Sequence, residues 1–193
     1  AALAGAAGLL TLSLLLFPTF VKVRTALARA QGARLVAVAQ SAVRQLPDSL
    51  AIALGSRASD SAAISASVRS VIRRIRVANN DVLGAGNELL GLDIVARDGT
   101  GQFHYVLQSE RMTTSGDPWT PADLLDELVS NRQSGSTTVY DANGDEVLAA
   151  AVPIVAANRR VVGAGVATGR ADGLLADARR AVVDLGIYAA IAF

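Results

Sequence analysis

His104 is the only histidine in the chain, and it stands beside Tyr105 in a segment of strand-like alternation. Arg111, Trp119 and Tyr140 are the other side chains able to offer a small molecule a charge, a ring face or a phenolic hydroxyl. Neighbours on a strand point to opposite faces, so either His104 or Tyr105 would face a given pocket. These five residues form the candidate ligand-contacting set, although side chains of these types more often serve in packing or at the surface. The chemistry they exclude is as informative. With no cysteine there is neither a disulfide scaffold nor a thiolate metal site. One histidine is too few for a His-based zinc site and removes most His-dependent triads. Asp141-Ala142-Asn143-Gly144-Asp145-Glu146 resembles a calcium loop, but an EF-hand needs Gly at position six and Glu at twelve. Those positions hold Glu146 and Val152, so the segment reads as a hairpin turn. Gly163-Ala164-Gly165-Val166-Ala167-Thr168-Gly169 has the wrong spacing for a dinucleotide loop. There is no P-loop and no G-x-S-x-G elbow. No carboxylates are spaced as an acid–base pair. The expectation is a protein with no catalytic residue, no metal and no cofactor.

The elements that would position these residues follow from composition and period. Of 193 residues, 51% are apolar, 4% aromatic and 18% charged, which excludes a disordered chain. The apolar excess is concentrated. Residues 1–21 carry no charge, and twenty-one helical residues rise about 30 Å, the thickness of the hydrocarbon core. This segment is expected to be a transmembrane helix, with Pro18 tolerated near its end. The stretch from Leu185 to Phe193 is also uncharged. It is too short to span and is expected to be the start of a second membrane segment, with residues 171–193 forming a closing helix that re-enters the bilayer.

Between these ends the charge is split. Residues 1–80 carry ten basic and two acidic side chains, and residues 81–193 carry eight basic and fifteen acidic, so a net charge of +1 joins a +8 half to a −7 half. The pattern changes at the same place. Residues 22–80 form a helical region. A long helix from Val23 to Leu46 has Leu27, Leu35, Val38, Ala42 and Leu46 near one face, and Pro47-Asp48 ends it. An amphipathic helix over 61–78 places Ile64, Val68, Val71, Ile72 and Ile75 on one side. Arg69, Arg73, Arg74 and Arg76 fill the remainder. Without aromatic residues for base stacking they read as a solvated face or a complement to the acidic half, so no nucleic-acid partner is expected.

Residues 81–170 form the sheet. Leu90, Leu92, Ile94 and Ala96 alternate with Gly91, Asp93 and Val95; Arg97-Asp98-Gly99-Thr100-Gly101 turns the chain; Gln102–Leu107 returns. Thr120-Pro121-Ala122-Asp123 starts a short helix with Leu124, Leu125 and Leu128 buried. Strands follow over 137–140, 146–155 and 160–168, and Pro153 within the second suggests an edge or a bulge. The fold class expected is α+β, with an antiparallel sheet of about five strands.

Leu92-Asp93-Ile94-Val95-Ala96-Arg97-Asp98-Gly99 resembles the hydrophobic strand and D-x-G turn of the extracytoplasmic Cache domains of bacterial receptors, which are PAS-like. Ala151-Val152-Pro153-Ile154 followed by Arg160-Val161-Val162-Gly163-Ala164-Gly165-Val166 resembles the ending of that family's domain. The resemblance covers residues 22–180. It implies a long helix that leaves the first span and packs along a central antiparallel sheet, and a last helix that returns to the membrane. It implies an extracytoplasmic domain on the bacterial inner membrane, acting as the small-ligand sensing input of a signalling receptor. Lys22, Arg24, Arg29 and Arg34 pull the other way, because the positive-inside rule would hold them in the cytoplasm. The partners expected are the lipid bilayer, a small-molecule ligand, and either a homodimer partner or other membrane-protein subunits. An alternative reading is a structural accessory subunit whose extrinsic domain docks on a larger membrane complex, such as a respiratory or light-harvesting assembly; the split charge suits that role.

Overall fold

The computed structural model describes residues 2–46, 62–83, 89–97, 100–107, 122–140 and 144–192. Its elements run α1 (Ala2–Gln45), α2 (Ala62–Leu83), β1 (Leu89–Arg97), β2 (Phe103–Leu107), α3 (Ala122–Asn131), β3 (Gly135–Tyr140), β4 (Glu146–Val155), β5 (Val161–Arg170) and α4 (Asp172–Ala192). The fold class is α+β, with a long N-terminal helix and an open five-stranded antiparallel sheet in the order β2-β1-β5-β4-β3.

The chain divides into two compact units, residues 1–30 with 171–193, and residues 31–170. In the first, Ala171 and Ala178 are buried, while Phe17, Val21, Val183 and Ile187 are exposed. The expected membrane span falls in α1, and the side chains of residues 1–16 lie outside the described residues. Among the described residues no helix is long and apolar enough to cross a membrane. The α-helix does not stop near Pro18 but passes through it. Proline removes one backbone donor and crowds the preceding turn, and the helix tolerates this locally.

In the second unit, the last part of α1 buries Leu35, Val38, Ala39 and Ala42, the i, i+3, i+4, i+7 stripe of a helix laid on a surface. The Leu46 amide then donates to the Val43 carbonyl at 3.2 Å, tightening the final turn. Helix α2 buries Val68, Ile72 and Ile75 and exposes Arg69, Arg73 and Arg74. It runs past Asn79-Asn80-Asp81, where the sequence suggests a break. The Asn79 side-chain amide donates to the Ile75 carbonyl one turn back at 2.8 Å, so this residue bonds within the helix instead of ending it.

Both faces of the sheet are covered. Leu92 and Ile94 of β1, Leu148, Ala150, Val152 and Ile154 of β4, and Ala167 of β5 pack with α1 and α2. Val95, Ala149, Ala151, Ala164 and Val166 pack on the opposite face with Leu124, Leu125 and Leu128 of α3. Strand β5 sits at the centre and is built from small residues because helix and neighbouring strand approach it closely. A Cβ on Gly165 would stand 2.6 Å from a Val43 methyl, and one on Gly163 would collide with the Val95 carbonyl oxygen. Pro153 belongs to an interior strand, yet the expectation of an edge holds locally. The last β4 residue paired with β3 is Ala151, so beyond it β4 pairs with β5 alone and the proline's missing N–H leaves no gap in the β3–β4 ladder.

Candidate functional site

The buried polar side chains lie on the α3-facing side of the sheet. Among the described residues the buried polar or charged side chains are Asp93, 6% exposed, and Thr168, 8% exposed. Strand alternation puts both on this face, with Val95 and Val166. Asp93 lies opposite Val166 on the neighbouring strand, and Thr168 lies opposite Gly91. The two are therefore diagonal neighbours, their Cβ atoms about 7 Å apart by the geometry of an antiparallel pair. On its other side Thr168 faces Ala149. A residue without a side chain and one with only a methyl flank the threonine in the sheet.

The Thr168 hydroxyl is buried and has no hydrogen-bond partner. It is the only such side-chain atom among the described residues. A buried hydroxyl left unpaired costs about 1–3 kcal/mol, and valine would fill the same volume without that cost. Asp93, by contrast, is engaged. A carboxylate that accepts and a hydroxyl that can donate or accept thus stand together in a water-poor place.

The residues singled out by sequence distribute unevenly around this pair. Tyr105 of β2 lies opposite Val95 on the same face, half-buried against the α3-side core, and it too is engaged. His104 lies opposite Ala96, and its side chain is outside the described residues. Arg111 and Trp119 also lie outside the described residues. Tyr140 ends β3, at the far edge of the sheet from β2, and is 71% exposed. Four strand spacings separate the β2 and β3 edges, about 19 Å, so the structure does not bring Tyr140 to Tyr105. A groove of about 350 Å³ runs between α3 and β3, lined among others by Glu127, Asn131, Gly135 and Thr137. Among the described residues no group of three or more His, Asp or Glu side chains could hold a metal ion.

Sequence reasoning passed over Asp93 and Thr168. The available signal was a lone carboxylate inside an apolar run of period two, Leu92-Asp93-Ile94-Val95. For a strand covered on one face only, that carboxylate is a solvent-side residue.

No family model matches the chain, and a search of curated proteins finds no match. Among solved structures, the periplasmic domain of RsbU from Chlamydia trachomatis aligns at 14% identity and a TM-score of 0.40, over 86% of this chain and 59% of that one. The ligand-binding domain of the Pseudomonas aeruginosa amino acid chemoreceptor PctC, in complex with GABA, aligns at 18% identity and a TM-score of 0.38, over 80% of this chain and 68% of that one. The ligand-binding domain of the Campylobacter jejuni chemoreceptor Tlp3, in complex with L-norvaline, aligns at 15% identity and 0.39, over 80% and 64%. This chain thus spans about three fifths of the first of these domains. Likenesses at this level define neither a family nor a ligand.

Proposed function

We propose that the chain is a membrane-anchored, extracytoplasmic Cache-like input module of a bacterial signalling receptor, and that it binds a small polar ligand without catalysis. The ligand sits on the α3 face of the sheet, where Asp93 takes a cationic or donor group and Thr168 completes the contact. Tyr105 borders the site, and His104, Arg111 and Trp119 remain candidates to close it. The observation that carries this reading is the buried, unpartnered Thr168 hydroxyl beside the buried Asp93. Such a pair is costly in an empty core and useful in an occupied one. The architecture supports it: a long helix packs along an antiparallel sheet, and the last strand leads through one residue, Ala171, into a closing helix. Anchoring is supported by exposed apolar pairs at i, i+4 spacing, Phe17 with Val21 and Val183 with Ile187, as expected of helix faces turned to lipid. Ligand contact at Thr168 acts on the strand that continues into α4. Unequal affinity for two positions of that strand would pass a signal to the closing helix.

A thermal-shift screen of amino acids, primary amines and polar carboxylates tests this on the wild-type chain and on Asp93→Asn and Thr168→Val. A compound that raises the wild-type Tm and leaves both variants unmoved supports the site. A compound that stabilises all three equally places binding elsewhere.

A further inference from the structure

We infer that the groove between α3 and β3 takes an extended peptide segment of another protein, which adds a strand beside β3 and turns one apolar and one basic side chain toward α3. The groove encloses about 350 Å³, and β3 is the last strand of the sheet on that side. The residues of β3 alternate between two faces. Val139 packs in the α3-side core, and a Cβ on Gly135 would stand 3.5 Å from a Leu124 methyl, so Gly135, Thr137 and Val139 face α3. Ser136 and Thr138 face α1, and a Cβ on Gly32 would collide with the Ser136 side chain. Yet Ser136 and Thr138 also line the groove. The groove therefore reaches beyond the α3 face to the outer backbone edge of β3, where every second residue presents its N–H and C=O outward. Helix α1 covers one face of the strand and leaves this edge open.

Edges are ordinarily blunted by charge, proline or a bulge, because an open ladder recruits other strands. Strand β3 carries no charge and no proline, and its pairing with β4 has no register shift. In strand addition, main-chain bonds give affinity and pockets for alternate side chains give specificity. Here Leu124, Leu128 and Val139 supply an apolar lining, and the exposed Glu127 is the only charged residue among the described lining residues. Helix α3 carries no Lys or Arg. The complement to that lining is one apolar side chain and one basic side chain. Residues i and i+2 of an added strand point the same way, about 6.6 Å apart, close to the rise of about 6 Å that separates Leu124 from Leu128. On the α1 face, the close approach at Gly32 favours small side chains in the added segment. A small molecule fits less well. Glu127, Asn131, Gln133, Ser134 and Thr138 are exposed, so the groove is open along its length, whereas small-molecule sites bury most of their ligand.

Capped hexapeptides test this by fluorescence anisotropy against the full chain in neutral detergent. One type carries valine and arginine at the second and fourth positions among threonines, made in both orders to cover both strand directions. The other carries them at the second and third positions, on opposite faces. The alternating peptide should bind at least about tenfold tighter, the factor expected from losing one of the two contacts. Glu127→Gln should weaken it about fivefold at low salt, the upper range for an exposed ion pair. Thr137→Trp, which fills the groove, should abolish binding. N-methylation moved along the peptide should abolish binding at every second position only. Equal binding of the two arrangements, indifference to Glu127→Gln, or N-methyl sensitivity without a period of two overturns the proposal. So does the absence of binding by either order at about 1 mM peptide.

Discussion

Replacing Thr168 with valine should make the ligand-free chain more stable, an unusual direction for a change in a buried strand. The side chain is 8% exposed and its hydroxyl makes no hydrogen bond. Valine keeps the β-branched shape and suits a strand equally well. The change therefore removes an unpaired hydroxyl, worth about 1–3 kcal/mol, and adds a methyl to a site already lined by apolar groups. A net gain of about 1–2 kcal/mol raises Tm by about 2–8 °C for a domain of this size. Thr168→Ala is the control. It removes the same hydroxyl but also a methyl beside Gly91 and Ala149, so it should fall about 1 kcal/mol or more below the valine variant. The assay is thermal unfolding followed by circular dichroism in buffer cleared of small metabolites by unfolding, dialysis and refolding. A Thr168→Val chain that melts below wild type would refute the reasoning, because the hydroxyl would then be satisfied in the folded state. A stabilised variant that no longer responds to any compound stabilising the wild type would show why threonine is present.

Gly163→Ala should cost about 3 kcal/mol, at the upper end of overpacking effects, because its Cβ meets the Val95 backbone carbonyl, which cannot rotate away. Gly169→Ala should cost under about 1 kcal/mol, since its Cβ would meet only the Leu35 side chain, at 3.4 Å; urea unfolding of the two variants checks the order. Leu125→Ala removes a fully buried α3 side chain from the site-side core and should cost about 2–5 kcal/mol. It should also weaken ligand-induced stabilisation, whereas the exposed Val155→Ala should change neither measurably.

Much of this architecture is legible in the residues. The stripe Leu35, Val38, Ala42 and the stripe Val68, Ile72, Ile75 place two helices on a surface, and the turn chemistry around Gly101 and Gly144 separates strands that do pair as hairpins. Both glycines have positive φ, as tight hairpin turns require. Helix ends are less legible. Asn79 bonds back to its own helix, and Pro18 lies inside α1, because a local breaking tendency of a few kcal/mol is small beside the packing or continuity on either side.

By itself the sequence determined the α+β class, the period of each element and the lack of cysteine chemistry, since these depend on residue type and local spacing. Only the tertiary structure decided which faces were buried. The chain between β2 and β3 crosses from one edge of the sheet to the other and sets α3 against β3 and β4, on the face that also carries Asp93 and Thr168. On that face Asp93 is a buried carboxylate. The Thr168 hydroxyl beside it is buried too, and the crossing leaves Tyr105 and Tyr140 on opposite edges. Burial is a property of what another segment covers, and alternation along one strand records only two faces.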